Sequence, residues 1–257
     1  MTDEHIAAPV RFRLLDTLIS ATHPSETLAI IARWVRNREQ HFVNFCTADV
    51  VLRSHDDPAL AAIINSSGLA VPDGMPLVWL GRRLSGIDVR RVYGPDMMLE
   101  ICRHGAELGW RHYFYGGTDV LLRDLVAQLR TKIPTLQVAG VWAPPFRPLT
   151  LVEEDEVTTR INNAAPDLVW VGLGTPKQDF WMARFRPKLQ SPVLLAVGAA
   201  FSFHAGHVPQ APRWMMRLGL EWLFRLCIEP KRLWRRYVIG VPRFLWLVLL
   251  QNVRVVQ

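Results

Sequence analysis

The stretch Asp167-Leu-Val-Trp-Val-Gly-Leu-Gly-Thr-Pro-Lys-Gln-Asp179 carries the reading of the fold. Leu168 to Val171 is a short apolar run after Pro166 and Asp167, which reads as a buried strand. Gly172 and Gly174 then permit a tight turn with exposed backbone. Thr175 is expected as the N-cap and Pro176 as the first helical residue, with apolar periodicity continuing to about Arg186. A strand that ends in Gly-x-Gly and opens a helix presents unpaired N–H groups and the positive end of a dipole. Lys177 and Gln178 fall in that first turn, so the stretch suits a phosphate or diphosphate. A well-capped strand–helix turn with no ligand accounts for the same residues.

The same alternation extends on both sides. Upstream, a tail to about residue 10 precedes a helix predicted over Pro24–Arg38 and a strand over His41–Cys46. Helices follow through Val50 and Val51 and over Pro58–Asn65, and Gly68 to Gly74 reads as a short strand that ends at Asp73. Further helices are expected near Pro76–Leu84 and from Gly94-Pro95-Asp96 to about Leu108. Arg111–Tyr115 is a strand closed by Gly116-Gly117, Thr118 caps a helix to Lys132, and Leu136–Val141 is a strand. A Pro-rich loop (144–148) leads to an acidic helix from Glu153 to Ala164, and the last strand is Pro192–Val197, ending at Gly198. Strands alternating with helices predict an α/β fold: a Rossmann-like, mostly parallel sheet with helices on both faces. Ligands of such sheets bind beyond the carboxyl ends of the strands. Asp73, Gly116, Gly117, Gly172 to Gln178 and Gly198 all fall there.

Asp73 lies between Pro72 and Gly74, and the glycine lets another group approach its carboxylate. It suits a general base, or an Asx-turn or N-cap for the helix near Met75. Asp96 has the same ambiguity and fits a first-turn acid. His204 and His207 flank Gly206 in an expected loop, with structural or substrate-contacting roles. No His, Cys, Asp or Glu spacing matches a metal-ligand set, and no Asp-x-Asp follows a strand. Gly-x-Ser-x-Gly, Walker and dinucleotide fingerprints are all missing, which argues against hydrolase, P-loop and NAD-dependent readings.

Half of the 257 residues are hydrophobic, enough for a large core. Cys46, Cys102 and Cys227 are odd in number and far apart, which fits a reducing cytoplasm better than a disulfide framework. No apolar leader follows Met1, and no run reaches the roughly 20 apolar residues of a membrane span. The net charge of +7 lies after residue 202, where nine basic side chains meet two acidic ones. Trp214, Trp222, Trp234 and Trp246 alternate with these arginines in helices punctuated by Gly219, Pro230 and Pro242. Such a segment can pack on the main domain, lie on an anionic bilayer or bind nucleic acid; the neutral remainder weakens the last option. The expected division is a main domain over 10–203 and a helical basic appendage over 204–257.

These residues resemble the WecG/TagA/CpsF family of glycosyltransferases. The matching blocks occur in order: Val71-Pro-Asp-Gly74, Arg91-Val-Tyr-Gly-Pro-Asp-Met97, Phe114-Tyr-Gly-Gly117, the stretch through Asp179, Val197-Gly-Ala-Ala-Phe-Ser202, and the segment from Ala211 to Arg232. The resemblance implies a metal-independent, cofactor-free, inverting hexosyltransferase for cell-surface or exopolysaccharide synthesis. Its donor would be a UDP-sugar (N-acetylmannosamine, its uronic acid, or glucose). Its acceptor would be a polyprenyl-diphosphate-linked saccharide at the inner membrane face, where the protein sits peripherally. By position, Asp73 matches the family's catalytic base. Asn44, Cys46, Gly74, Asp96, Gly116, Gly117, Gly172, Gly174, Pro176, Lys177 and Gln178 fall in the expected substrate site. Arg225, Arg232 and Arg235 match basic positions that engage the acceptor or the leaving diphosphate. One departure is clear: Asn44 and Cys46 stand where the family commonly has Thr and Asn, which replaces an amide with a weak hydrogen-bonding thiol. A non-catalytic nucleotide-sugar-binding or scaffold protein of the same fold is the alternative, and homo-oligomerisation stays open.

Overall fold

A computed structural model describes residues 9–251 and 255–256. The chain opens on a hairpin, β1 (Arg11–Leu14) and β2 (Thr17–Ser20), in a segment where the sequence reading placed no element. Helix α1 (Pro24–Asn37) is capped by the His23 side chain, which accepts the Glu26 N–H. It leads to β3 (His41–Cys46), α2 (Ala48–Asp56), α3 (Pro58–Ser66), β4 (Leu69–Pro72), α4 (Met75–Ser85) and α5 (Gly94–Glu107). Next come β5 (Arg111–Tyr115), α6 (Asp119–Lys132), β6 (Gln137–Trp142) and α7 (Leu151–Ala164). Helix α7 starts two residues before the expected Glu153 because Thr150 and Glu153 form a reciprocal capping box. Strand β7 (Leu168–Val171), α8 (Lys177–Phe185), β8 (Val193–Ala196) and α9 (Ala200–His204) complete the repeat.

The sheet has six parallel strands in the order β4-β3-β8-β7-β5-β6. Both faces are covered, which explains why β4, β7 and β8 read as unbroken apolar runs. Val43, Phe45, Phe114, Trp170 and Leu195 point to one face and pack with Ile31 and Trp34 of α1, Met98 of α5 and Leu125 of α6. Phe42, Tyr113, Val169 and Leu194 point to the other, against Val157 of α7 and Met182 and Phe185 of α8. This is the expected α/β architecture.

The chain ends in α10 (Arg213–Arg217), α11 (Glu221–Ile228), α12 (Pro230–Trp234) and α13 (Val241–Leu250), with β9 (Val255–Val256) pairing antiparallel to β1. Gly219, at φ +72, separates α10 from α11, and Pro230 opens α12, as expected. Pro242 does not punctuate the chain. A π-helical turn over Arg235–Gly240 joins α12 to α13, and its wider winding accommodates the proline that would obstruct a regular turn. Helix α13 folds back across the molecule: Phe244 and Val248 enter the apolar cluster of Phe12, Leu14, Ile19 and Cys46. No described helix is long and apolar enough to cross a membrane.

Candidate active site

The crevice lies at the carboxyl ends of the parallel strands. Strand β5 leads outward to β6 whereas β7 leads back to β8, so the connections diverge between β5 and β7. There Gly116, at φ +126, sits so close to Gly172 that a Cβ would come within 2.7 Å of its backbone carbonyl. The two glycine turns meet, and no side chain fills the gap.

Asp73 follows β4, held by its own N–H donating to the Cys46 carbonyl (2.8 Å), with the Gly74 N–H reaching the same oxygen (3.3 Å). Gly74 occupies the N-cap position of α4 with no side-chain cap, so Asp73 does not cap this helix. Its Oδ1 is buried without a hydrogen-bond partner, 3.5 Å from Arg91 Nη2. Burial pushes the carboxyl up to about 6, opposed by the Arg91 guanidinium and aided by the Glu221 carboxylate. The Gly94 N–H and the more distant Arg225 also pull it down. A carboxylate raised in this way is matched to proton abstraction near neutral pH.

Arg91 is fixed from several sides. Its Nε donates to the Asp73 carbonyl (2.5 Å), its Nη2 to Glu221 Oε2 (2.5 Å), and its guanidinium lies 4.2 Å over the Tyr93 ring. Tyr93 donates its hydroxyl to Glu221 Oε1 (3.2 Å). Glu221 opens α11, so the basic C-terminal helices are tied to the crevice through one acidic residue.

The turn after β7 departs from the expected cap. The Thr175–Pro176 peptide is cis, Pro176 takes the N-cap position, and α8 starts at Lys177. Gln178 is buried: its Oε1 accepts the Gly174 N–H (3.0 Å) and its Nε2 donates to the Ala196 carbonyl (3.3 Å). It therefore braces the Gly174 loop from beneath. Gly174, at φ +76, has open space around its Cβ direction. Lys177 lies in the first turn of α8, as the sequence indicated.

Asn44 and Cys46 are both buried within β3. Asn44 Nδ2 donates to Asp179 Oδ1 (2.6 Å), and burial raises the Asp179 carboxyl to about 6, against that hydrogen bond. Cys46 offers no contact surface: its side chain is in the apolar cluster beneath the hairpin, and burial pushes its thiol up. Its contribution to the site is the carbonyl that holds Asp73 and Gly74.

Three expected residues sit apart from Asp73. Asp96, in the first turn of α5, is half-buried and forms a two-pronged pair with Arg213 (2.6 and 3.0 Å). Arg232 is exposed and paired to Glu229 one turn earlier. Arg235 is exposed over the Trp234 ring. Arg225 is nearer: half-buried 5.6 Å from the Phe203 ring, with an unpartnered Nε and a field that reaches Asp73. His204 is in α9 rather than a loop, bonded to the Pro95 carbonyl (2.8 Å), and His207 pairs with Asp124 (2.9 Å). Arg91, Tyr93, Asp179 and Glu221 were not singled out for a role in the sequence, nor was Arg236, which reaches Thr47 Oγ1 (3.2 Å) just past β3. Among the described residues, no three His, Cys, Asp or Glu side chains converge as a metal cluster.

The sequence matches the model of the glycosyl transferase WecG/TagA/CpsF family over residues 12–257. It is 28% identical to an N-acetylglucosaminyldiphosphoundecaprenol N-acetyl-beta-D-mannosaminyltransferase of Bacillus subtilis (strain 168), over 82% of this chain and 83% of the relative. A protein of the same description from Bacillus spizizenii is 25% identical over 81% and 78% of the two chains.

Proposed function

Because the chain belongs to the WecG/TagA/CpsF family of glycosyl transferases, we propose that it moves a hexose from a UDP-sugar to a polyprenyl-diphosphate-linked saccharide, with Asp73 as general base. The donor sugar is N-acetylmannosamine, its uronic acid or glucose, and the product enters a cell-surface or exopolysaccharide. The observation that carries the reading is the Asp73 carboxylate at the carboxyl end of β4, raised to about 6 and with its Oδ1 buried without a hydrogen-bond partner.

In the reaction, Asp73 takes the proton of an acceptor hydroxyl as its oxygen attacks the anomeric carbon. The new C–O bond forms as the bond to the β-phosphate breaks, and the electron pair leaves with UDP. Attack opposite the leaving group inverts the anomeric centre. The diphosphate is received by the positive N-terminal end of α8 beyond the Gly172–Gly174 turn, by Lys177, and by Arg225. Arg232 and Arg235 sit farther out, where a membrane-borne acceptor would approach. Charge neutralisation by arginines and helix N–H groups makes the transfer metal-independent in this reading.

The test is UDP release across a panel of UDP-sugars, with lipid-diphosphate saccharides as acceptors and EDTA present. One donor should release UDP in an acceptor-dependent manner, and Asp73→Asn should abolish release while still binding UDP. Full turnover by Asp73→Asn, or dependence on added divalent metal, would refute the corresponding part of the mechanism. No release with any donor would favour a binding or scaffold role.

A further inference from the structure

Arg91 has two carboxylates within reach and is committed to one of them. Its Nη2 lies 2.5 Å from Glu221 Oε2 but 3.5 Å from Asp73 Oδ1. Stacking on Tyr93 and the Nε bond to the Asp73 carbonyl hold the guanidinium beside both carboxylates, so Glu221 decides which of them Nη2 meets. All three side chains are largely buried, so screening by water is weak and the choice of partner matters. A guanidinium closed two-pronged on Asp73 would occupy the lone pairs that an acceptor proton needs.

We propose that Glu221 is a positioning residue: by holding the Arg91 guanidinium it keeps that cation from closing on Asp73, and so leaves the carboxylate free to accept a proton. The inference rests on Asp73 being the base of the proposed transfer. Glu221 is the first residue of α11, so base strength depends on the C-terminal helices being docked; Tyr93 fixes the second Glu221 oxygen and completes the link. The charged and titratable groups around Asp73 are Arg91 and Tyr93 from the segment before α5, Glu221 and Arg225 from α11, and Cys46 from β3. Among them Glu221 alone is an anion set directly on Arg91. Losing its charge removes a like charge from beside Asp73 and frees a cation to approach it, and both changes favour the ionised carboxylate.

The test compares wild type, Glu221→Gln and Glu221→Asp, with the Asp73 carboxyl titrated by carbon NMR and kcat/KM for UDP release followed from pH 5 to 9. Glu221→Gln should move the Asp73 titration, and the acidic limb of the rate profile with it, down by about one pH unit. Its plateau rate should fall severalfold, because a weaker base remains. Glu221→Asp keeps the charge and should restore most of the shift. A slower Glu221→Gln enzyme whose titration stays in place would overturn the inference, since a purely structural role moves rate without moving the titration. Should Glu221→Gln fail to fold, Glu221→Asp still decides: any fall in its rate must come with a downward move of the Asp73 titration, and a slower Glu221→Asp enzyme with an unmoved titration would overturn the inference. Retained turnover in Asp73→Asn would instead refute the base assignment, and the NMR comparison would still report the link from Glu221.

Discussion

Asn44 and Asp179, separated by 135 positions in sequence, meet through a 2.6 Å hydrogen bond between two buried side chains. It joins the core strand β3 to the first turn of α8, the helix whose entry forms the glycine turn of the crevice. Asn44 Oδ1 and Asp179 Oδ2 have no hydrogen-bond partner, and the carboxylate is otherwise held by the Thr175 side chain and its own backbone N–H. Burial raises the Asp179 carboxyl to about 6 and outweighs the hydrogen bonds from Asn44, Thr175 and its own backbone, which favour the ionised form.

Asn44→Ala should therefore destabilise the fold by about 1–3 kcal/mol in urea unfolding, since it removes the buried amide donor from the Asp179 carboxylate. Asp179→Asn should do the opposite at neutral pH. The folded-state value is raised above the unfolded one, so the protonated acid favours folding fully below about pH 4, and that contribution is lost as pH rises through about 6. The amide variant has no such loss, and Asn44 can turn its free Oδ1 toward the new donor. Above pH 7 it should be more stable than wild type by roughly 1–3 kcal/mol, with the gap closing toward pH 4.

Asp73 obeys the same sign in stability and the opposite one in activity. Its carboxyl, also raised to about 6, opposes folding most when ionised, and only the ionised form can take a proton. The expected outcome is kcat/KM rising with pH through a midpoint near 6, alongside an Asp73→Asn variant that melts higher at pH 8 and turns over 100-fold slower or worse. A rate profile flat from pH 5 to 8 would remove Asp73 from the proton transfer.

Much of this was legible in the sequence because the signals are local. Apolar runs ending in Gly or Asp placed β4, β5 and β7, and with them Asp73 and the glycine turns, at one edge of a parallel sheet. The hairpin was missed although Arg11-Phe12-Arg13-Leu14 alternates, because four residues carry little pattern and their partners, β9 and α13, lie at the far end of the chain. Asp179 and Glu221 escaped for the same reason. An acid in the first turn of a helix reads as a dipole complement, and nothing nearby indicates that Asp179 is bound to Asn44 or that Glu221 grips Arg91 across 130 residues. The sequence put Gln178 in the first turn of α8 but could not show that its amide bonds to Gly174 and Ala196, partners set by the tertiary fold.

The glycines of the crevice separate into two kinds. A Cβ at Gly116 would strike the Gly172 backbone at 2.7 Å from a backbone angle only glycine adopts readily, and backbone cannot step aside. Gly116→Ala should cost about 2–4 kcal/mol in unfolding measurements. Gly174 also has positive φ but open surroundings, so Gly174→Ala should cost only about 1 kcal/mol. The more sensitive readout for Gly174→Ala is UDP affinity, because an added methyl would crowd the turn proposed to receive the diphosphate.

Helix α13 has one buried and one exposed apolar face. Phe244 and Val248 are buried against the hairpin, while Trp246, Leu249 and Leu250 are 63%, 81% and 66% exposed. Large apolar side chains on such a basic segment fit the interfacial layer of an anionic bilayer, the membrane partner proposed for this protein. Deleting 204–257 is a poor test, because it also strips Phe244 from the core and should unfold the hairpin; Phe244→Ala alone should cost about 3–5 kcal/mol. The informative variant pairs Trp246→Glu with Leu249→Glu, which leaves the inner face intact. It should keep the wild-type melting temperature within a few degrees and lose about tenfold or more in binding to vesicles containing anionic lipid. Equal co-sedimentation of the variant and wild type would show that this face of α13 does not meet the membrane.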